Sequence, residues 1–237
     1  MVTMESIIIG IIFIIIQLYA LPIVKRSPIG QRKLLSLSGG VAIAYVFVYI
    51  LPTLHEEQDK LGGSFALDTE LYFLGLIGLL IYFAVYAFAE TKTAERLKAN
   101  TIYFVQISFF MVYSFIVTYI VFSSDVQRVE SLFYGLAVSL HFIGLSYHLG
   151  KESERLHKSA GRYMLAGATL IGAFAGIFGP SSGLFVDSII AFSSGAMIFN
   201  VISKEIPFEK NAHLPTFLIS SLVYSIMLIV LKGFFNW

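Results

Sequence analysis

The 237-residue chain contains no cysteine. Disulfides, thiolate metal sites and cysteine nucleophiles are therefore excluded, and the redox compartment cannot be read from thiol usage. Charge is scarce as well: 13% of the residues are Asp, Glu, Lys or Arg, against about 25% in soluble domains. A formal net charge of +1 offers no strongly basic footprint, so nucleic acid is not an expected partner. The N-terminus lacks a basic leader segment, and its first apolar run, 7–24, is long for a signal core, so it reads as a span. What the chain does have is apolar surface. Hydrophobic residues make up 57% of it, and the mean hydropathy is +0.81. That is the composition of a polytopic membrane protein.

Crossing the hydrocarbon core takes about 20 mostly apolar residues. Eight segments approach that length: 4–24, 34–54, 71–89, 101–122, 132–149, 163–178, 186–206 and 214–231. Unpaired backbone groups are too costly in hydrocarbon, so the expected fold is all-α, one transmembrane domain over 1–237. Basic residues are asymmetric. The connections after spans one, three, five and seven hold thirteen of the sixteen Lys and Arg residues, leaving only Lys60, Arg128 and Lys232 on the other side. The positive-inside rule then makes those connections cytoplasmic and puts both termini on the non-cytoplasmic side.

Two spans resemble each other. "SLSGGVAIAYVFVYILPTLHEEQ" begins at Ser36, and "FSSGAMIFNVISKEIPFEKN" begins at Phe192. Gly40 precedes Pro52 by twelve positions, and Gly195 precedes Pro207 by twelve. These are the second and seventh spans, which cross in opposite directions if every span is a single pass. The pair therefore predicts an inverted repeat of spans 1–3 and 6–8 around spans 4–5, a common plan among secondary transporters. Ala168, Gly172, Gly176 and Pro180 recur every four residues on the sixth span, and Gly75 and Gly78 lie on the third. Such small residues allow neighbouring backbones to approach closely.

Eight spans, external termini, and the stretches "SGGVAIAYVFVYILP" and "AFSSGAMIFNVISKEIP" resemble the ZIP family of divalent-metal transporters, whose second and seventh spans they match best. The resemblance implies metal ligands on spans four and five, in motifs of the form His-Asn-x-x-Asp-Gly and His-Glu-x-x-His-Glu. Here Tyr113, Ser114 and Val117 stand for the histidine, asparagine and aspartate of the first motif. In the second, His141 matches the first histidine, while Phe142, Leu145 and Ser146 replace the other ligands. Tyr49 stands at a position often held by histidine, and Thr53 replaces the glutamate after the proline. A binuclear metal centre, which the resemblance implies, lacks most of its ligands here. Zinc usually takes three or four N, S or O ligands, and harder cations take several oxygens.

The transport-pathway candidates are Tyr113, Ser114, Thr118, His141, Asn200 and Glu205. His141 carries the most weight, because an ionisable group at membrane depth needs a partner or a function. It could be a lone metal ligand, a proton relay or a pH sensor, or a neutral imidazole joining spans four and five through Ser114, Tyr113 or a carbonyl. At the outer mouth, His55, Glu56, Glu57 and Asp59 form a second, weaker metal-attracting cluster, which could equally be a solvated helix end. The inner stretch "KESERLHKSAGR" suits contact with anionic lipid.

The expected function is that of a divergent relative of divalent-cation transporters, with a divalent metal as substrate or with the substrate changed. A non-transporting structural or regulatory membrane protein is the alternative. An intramembrane metal hydrolase fits less well, because no His-x-x-x-His pair is present and Asp68, Asp125 and Asp187 fall towards the outer loops. No enzymatic activity and no tightly bound cofactor are expected. The lipid bilayer is the expected partner, a homodimer is compatible with the sequence, and no partner protein can be read from it.

Overall fold

The computed structural model describes residues 3–61, 69–89, 99–123, 128–181, 183–205 and 213–235. Among the described residues all regular structure is helical. Eight helices are long and apolar enough to span a membrane: α1 (Met4–Lys25), α2 (Gln31–Lys60), α3 (Glu70–Phe88), α4 (Asn100–Ser123), α5 (Glu130–Glu152), α6 (Glu154–Phe178), α7 (Leu184–Ser203) and α8 (Leu214–Phe234). The protein is thus an all-α integral membrane protein. Two helices outrun their sequence limits by six residues or more. The acidic mouth "HEEQDK" continues α2 as helix, and "ERLHKSAGR" forms the opening turns of α6. Hydropathy marks where lipid begins; helical hydrogen bonding does not stop there.

The helices associate as four pairs, and within each pair the chains run parallel. In α1–α5, Ile9 lies against Gly135 and Leu21 against Gly150, and Lys25 meets Glu154 at 3.1 Å just beyond. In α4–α6, the carbonyls of Phe115 and Tyr119 rest on Gly172 and Gly176. Ser36 accepts the His213 N–H at 3.0 Å at the start of α2–α8, and Glu56 meets Lys232 at 2.7 Å near its end. Phe83 contacts Phe199 edge-on at 5.9 Å in α3–α7. The last two pairs, like α4–α6, pack backbone on backbone. A Cβ at Gly40 would overlap the Phe217 carbonyl and Ser220, and one at Gly195 would overlap the Gly75 carbonyl. Only glycine permits either approach.

Enclosure ranks the pairs. Two-thirds of α5 (67%) is buried, against 22% of α3 and 11% of α8, so α5 is central while α3 and α8 form the rim. The core joins Phe13, Tyr45, Tyr113 and Phe142 across α1, α2, α4 and α5. Outward-facing Ile219, Leu222, Ile226 and Ile229 of α8 are exposed, as suits a surface solvated by lipid.

α2 and α7 share further details. Each starts on a glycine of positive φ, Gly30 at 84° and Gly183 at 96°, a conformation that side chains disfavour. Each then passes into a five-residue π-helical segment, Val46–Ile50 and Val201–Glu205. Gly40 to Gly195, Val46 to Val201 and Pro52 to Pro207 are all separated by 155 residues. A third π segment, His157–Gly161, opens α6, with His157 Nδ1 3.1 Å from the Tyr103 hydroxyl.

Candidate functional site: a vestibule above a buried histidine

A cavity of about 540 Å³ opens at the end of the bundle where α2 approaches α3. α2 supplies one wall along a helical stripe of Tyr45, Tyr49, Thr53, Glu56 and Lys60, and its π segment turns Val48, Tyr49 and Ile50 all towards the space. Widened turns of this kind frequently mark functional sites. α4, α5 and α7 supply most of the other walls, with Val117, Glu130, Tyr134, Asp187 and Ile190, and α8 adds Leu228 and Lys232.

Tyrosines make the floor. Tyr45 stacks on Tyr49 at 5.0 Å and meets Tyr134 edge-on at 5.8 Å. The Tyr49 hydroxyl donates to the Glu130 carboxylate, and Tyr134 donates to the Val117 carbonyl at 3.3 Å. Both hydroxyls are engaged, so the rings are held in place. At the mouth, Glu56 pairs with Lys232 at 2.7 Å and Glu57 with Lys60 at 2.5 Å.

Tyr113 borders the cavity, and its ring meets His141 at 5.8 Å, almost perpendicular. His141 is fully buried. On its far side, His141, His148, Glu152 and Asn200 line a second space of about 20 Å³, room for roughly one water. Asn200 is 4% exposed, and its Nδ2 has no hydrogen-bond partner among the described residues. Tyr113, His141 and Asn200, three of the sequence candidates, thus form a line of neighbours: Tyr113 borders the vestibule and His141, and His141 shares the second space with Asn200, His148 and Glu152.

The remaining candidates separate from that line. Ser114 Oγ accepts from Gln17 Nε2 at 3.2 Å, and Thr118 Oγ1 donates back to the Ser114 carbonyl at 2.8 Å within its own helix. The Glu205 side chain lies outside the described residues. The outer cluster divides: Glu56 and Glu57 line the vestibule, whereas His55 turns to the Tyr72 hydroxyl at 2.8 Å and to Asp59 at 3.7 Å. Among the described residues, no three His, Asp or Glu side chains lie close enough to share one ion.

Sequence reading missed Gln17. Fully buried in α1, it accepts from Ser146 Oγ at 2.5 Å while donating to Ser114, so one amide ties α1, α4 and α5 together. The amide thus bonds both the Ser114 and the Ser146 hydroxyl. An amide inside "IIIQLYA" was the available signal, since a polar group at that depth needs partners. Glu130 was also missed, because it sits at the start of α5, where a carboxylate ordinarily meets solvent.

No protein-family model matches the chain, and no curated protein matches it either.

Proposed function

We propose that the protein is a ZIP-like membrane transporter, a divergent relative of the divalent-cation carriers in which the binuclear metal site has been lost. One observation carries the reading. The glycine and the π segment of α2 recur in α7, and the proline that follows recurs in the sequence, all at the same 155-residue separation. Tyr45 of α2 lines the vestibule with Tyr113, and Asn200 of α7 lines the small space with His141. Helix pairing supports the same exchange. Swapping α1 with α6, α2 with α7, α3 with α8 and α4 with α5 turns the α2–α8 pair into α7–α3, and α1–α5 into α6–α4. In the proposal this is an inverted repeat of spans 1–3 and 6–8 around spans 4–5, with both termini on the non-cytoplasmic side.

On this reading the vestibule is the outward-facing half of the path, and Tyr113 closes it above His141. Transport proceeds by rocking of the repeat helices against the rest of the bundle. Few charged ligands line the closed half, so a doubly charged ion would shed its hydration there with little compensation. That favours a changed substrate over the ancestral one. A second reading, a non-transporting structural or regulatory membrane protein, draws on the Gln17 clasp, which fastens three central helices. No enzymatic activity is proposed.

Uptake of zinc, cadmium, manganese and iron into proteoliposomes, with His141→Ala alongside, separates these readings. Metal uptake that His141→Ala abolishes would restore a metal path and overturn the lost-site proposal. If folded protein moves none of the four ions and no other solute, the structural reading replaces the transporter.

A further inference from the structure

We infer that the vestibule is a binding site for an organic cation with an apolar body, seated against Tyr49 and Tyr134 and countered by Glu130. As a substrate site it rests on the transport reading above; as a binding site it stands on its own geometry.

Size is the first argument. An ion with six waters occupies roughly 200 Å³, at about 30 Å³ per water. The vestibule, at about 540 Å³, is more than twice that and falls within the range of small-molecule sites, roughly 300–1,000 Å³. The walls are the second. Val48, Ile50, Val117 and Ile190 give nothing to a hydrated inorganic ion, but they shelter an alkyl or aryl group from water. Charge is the third. The lining holds four carboxylates, from Glu56, Glu57, Glu130 and Asp187, against the two ammonium groups of Lys60 and Lys232. Each lysine is already paired with a glutamate, so among the described lining residues carboxylates outnumber ammonium groups, which disfavours anions.

The floor decides the kind of cation. Tyrosine rings attract ammonium groups through their negative faces, and clustered rings are the usual receptor for alkylated ammonium. Here Tyr49 and Tyr134 border the space, with their orientation set by the buried Tyr45 ring that backs Tyr49 and by the bonded hydroxyls of Tyr49 and Tyr134. Glu130 is both the hydroxyl acceptor that orients Tyr49 and the carboxylate nearest the floor. An inorganic divalent ion would call on the carboxylates alone and leave the aromatic floor without a role.

The test uses the full chain in maltoside micelles, with benzyltrimethylammonium as probe and calorimetric titration as readout. The uncharged analogue 2-methyl-1-phenyl-2-propanol, of nearly the same shape, is titrated in parallel, and zinc is added as competitor. The expected result is saturable binding of the ammonium ion, none of the alcohol, and no displacement by zinc. Glu130→Gln, checked for an unchanged melting temperature, weakens binding at least tenfold. If that variant does not fold, Asp187→Asn, together with loss of affinity at high salt in the unmutated protein, tests the same charge dependence. Equal binding of alcohol and ammonium would reduce the vestibule to a greasy cavity and overturn the inference, as would displacement by zinc or indifference to both substitutions. Proteoliposomes then separate the two proposals. Binding without uptake keeps the site and removes the transport reading. Zinc uptake that the ammonium ion neither shares nor inhibits keeps transport and removes the vestibule as its substrate site.

Discussion

α2 and α7 are built to one plan and end in different surroundings. Both leave a positive-φ glycine, press a second glycine onto a neighbouring backbone, and widen into a π segment two residues before a proline. The equivalent positions then diverge. Tyr45 in α2 corresponds to Asn200 in α7, the residues just before the two π segments. Around Tyr45 the bundle holds a large open cavity, whereas around Asn200 it leaves room for about one water. The backbone therefore supplies the same device at both ends, and the side chains around it determine which end stands open.

The backbone half of that comparison breaks most readily at the glycines. Gly40→Leu and Gly195→Leu should each cost about 3 kcal/mol or more, because the new side chain meets backbone that cannot yield. Both should abolish monodisperse protein in size-exclusion profiles. Gly167→Ala, where an added Cβ meets nothing within 4 Å, should leave the profile and melting temperature unchanged. Loss at one of the two glycines and tolerance at the other would remove their equivalence.

Next in size is the clasp that holds the central helices while the outer pairs differ. Gln17→Leu gives up two buried hydrogen bonds and strands two hydroxyls, a destabilisation of about 1–3 kcal/mol. A thermal-stability cycle of Gln17→Ala with Ser146→Ala should show about 1 kcal/mol of coupling. Additive effects would mean that the amide and the hydroxyl are not bonded to each other.

Smaller effects sharpen the side-chain half. Asn200→Leu removes an amide whose Nδ2 has no partner among the described residues, so stability should change by less than about 1 kcal/mol or even rise. A large loss there would reveal a partner for Asn200 and bring the two positions back into step. Smallest of all, Lys232→Met breaks an exposed pair with Glu56 and should cost under about 1 kcal/mol, seen as little or no shift in melting temperature. Its effect should be felt in the charge of the vestibule mouth.

Much of the scaffold was legible in the sequence, and the site was legible in part. Eight apolar runs fixed the helices, because hydrocarbon admits few other backbones. The equal Gly-to-Pro intervals flagged α2 and α7. The π segments were not legible, since no residue type marks them and they arise from packing around the whole turn. His141, Tyr113 and Asn200 could be picked out because polar groups are rare at that depth. Which helix face they share could not, because helices that are apolar all round carry no stripe to read. The Gln17 bonds reach 97 and 129 residues along the chain, beyond any local pattern. Glu130 was obscured by its place at a helix end, where a carboxylate usually means only solvent.

The parallel pairing of the helices constrains how the protein can be made. No pair joins neighbours in the chain: α1 waits for α5, α2 for α8, α3 for α7 and α4 for α6. The flattened glycine face of α2 stays uncovered until the eighth helix has entered the bilayer, so early helices must lodge in lipid or against insertion machinery in the meantime. Assembly cannot proceed hairpin by hairpin. It closes only when the last helix arrives, which makes α8, the least enclosed part of the finished bundle, the step that commits the whole chain to its fold.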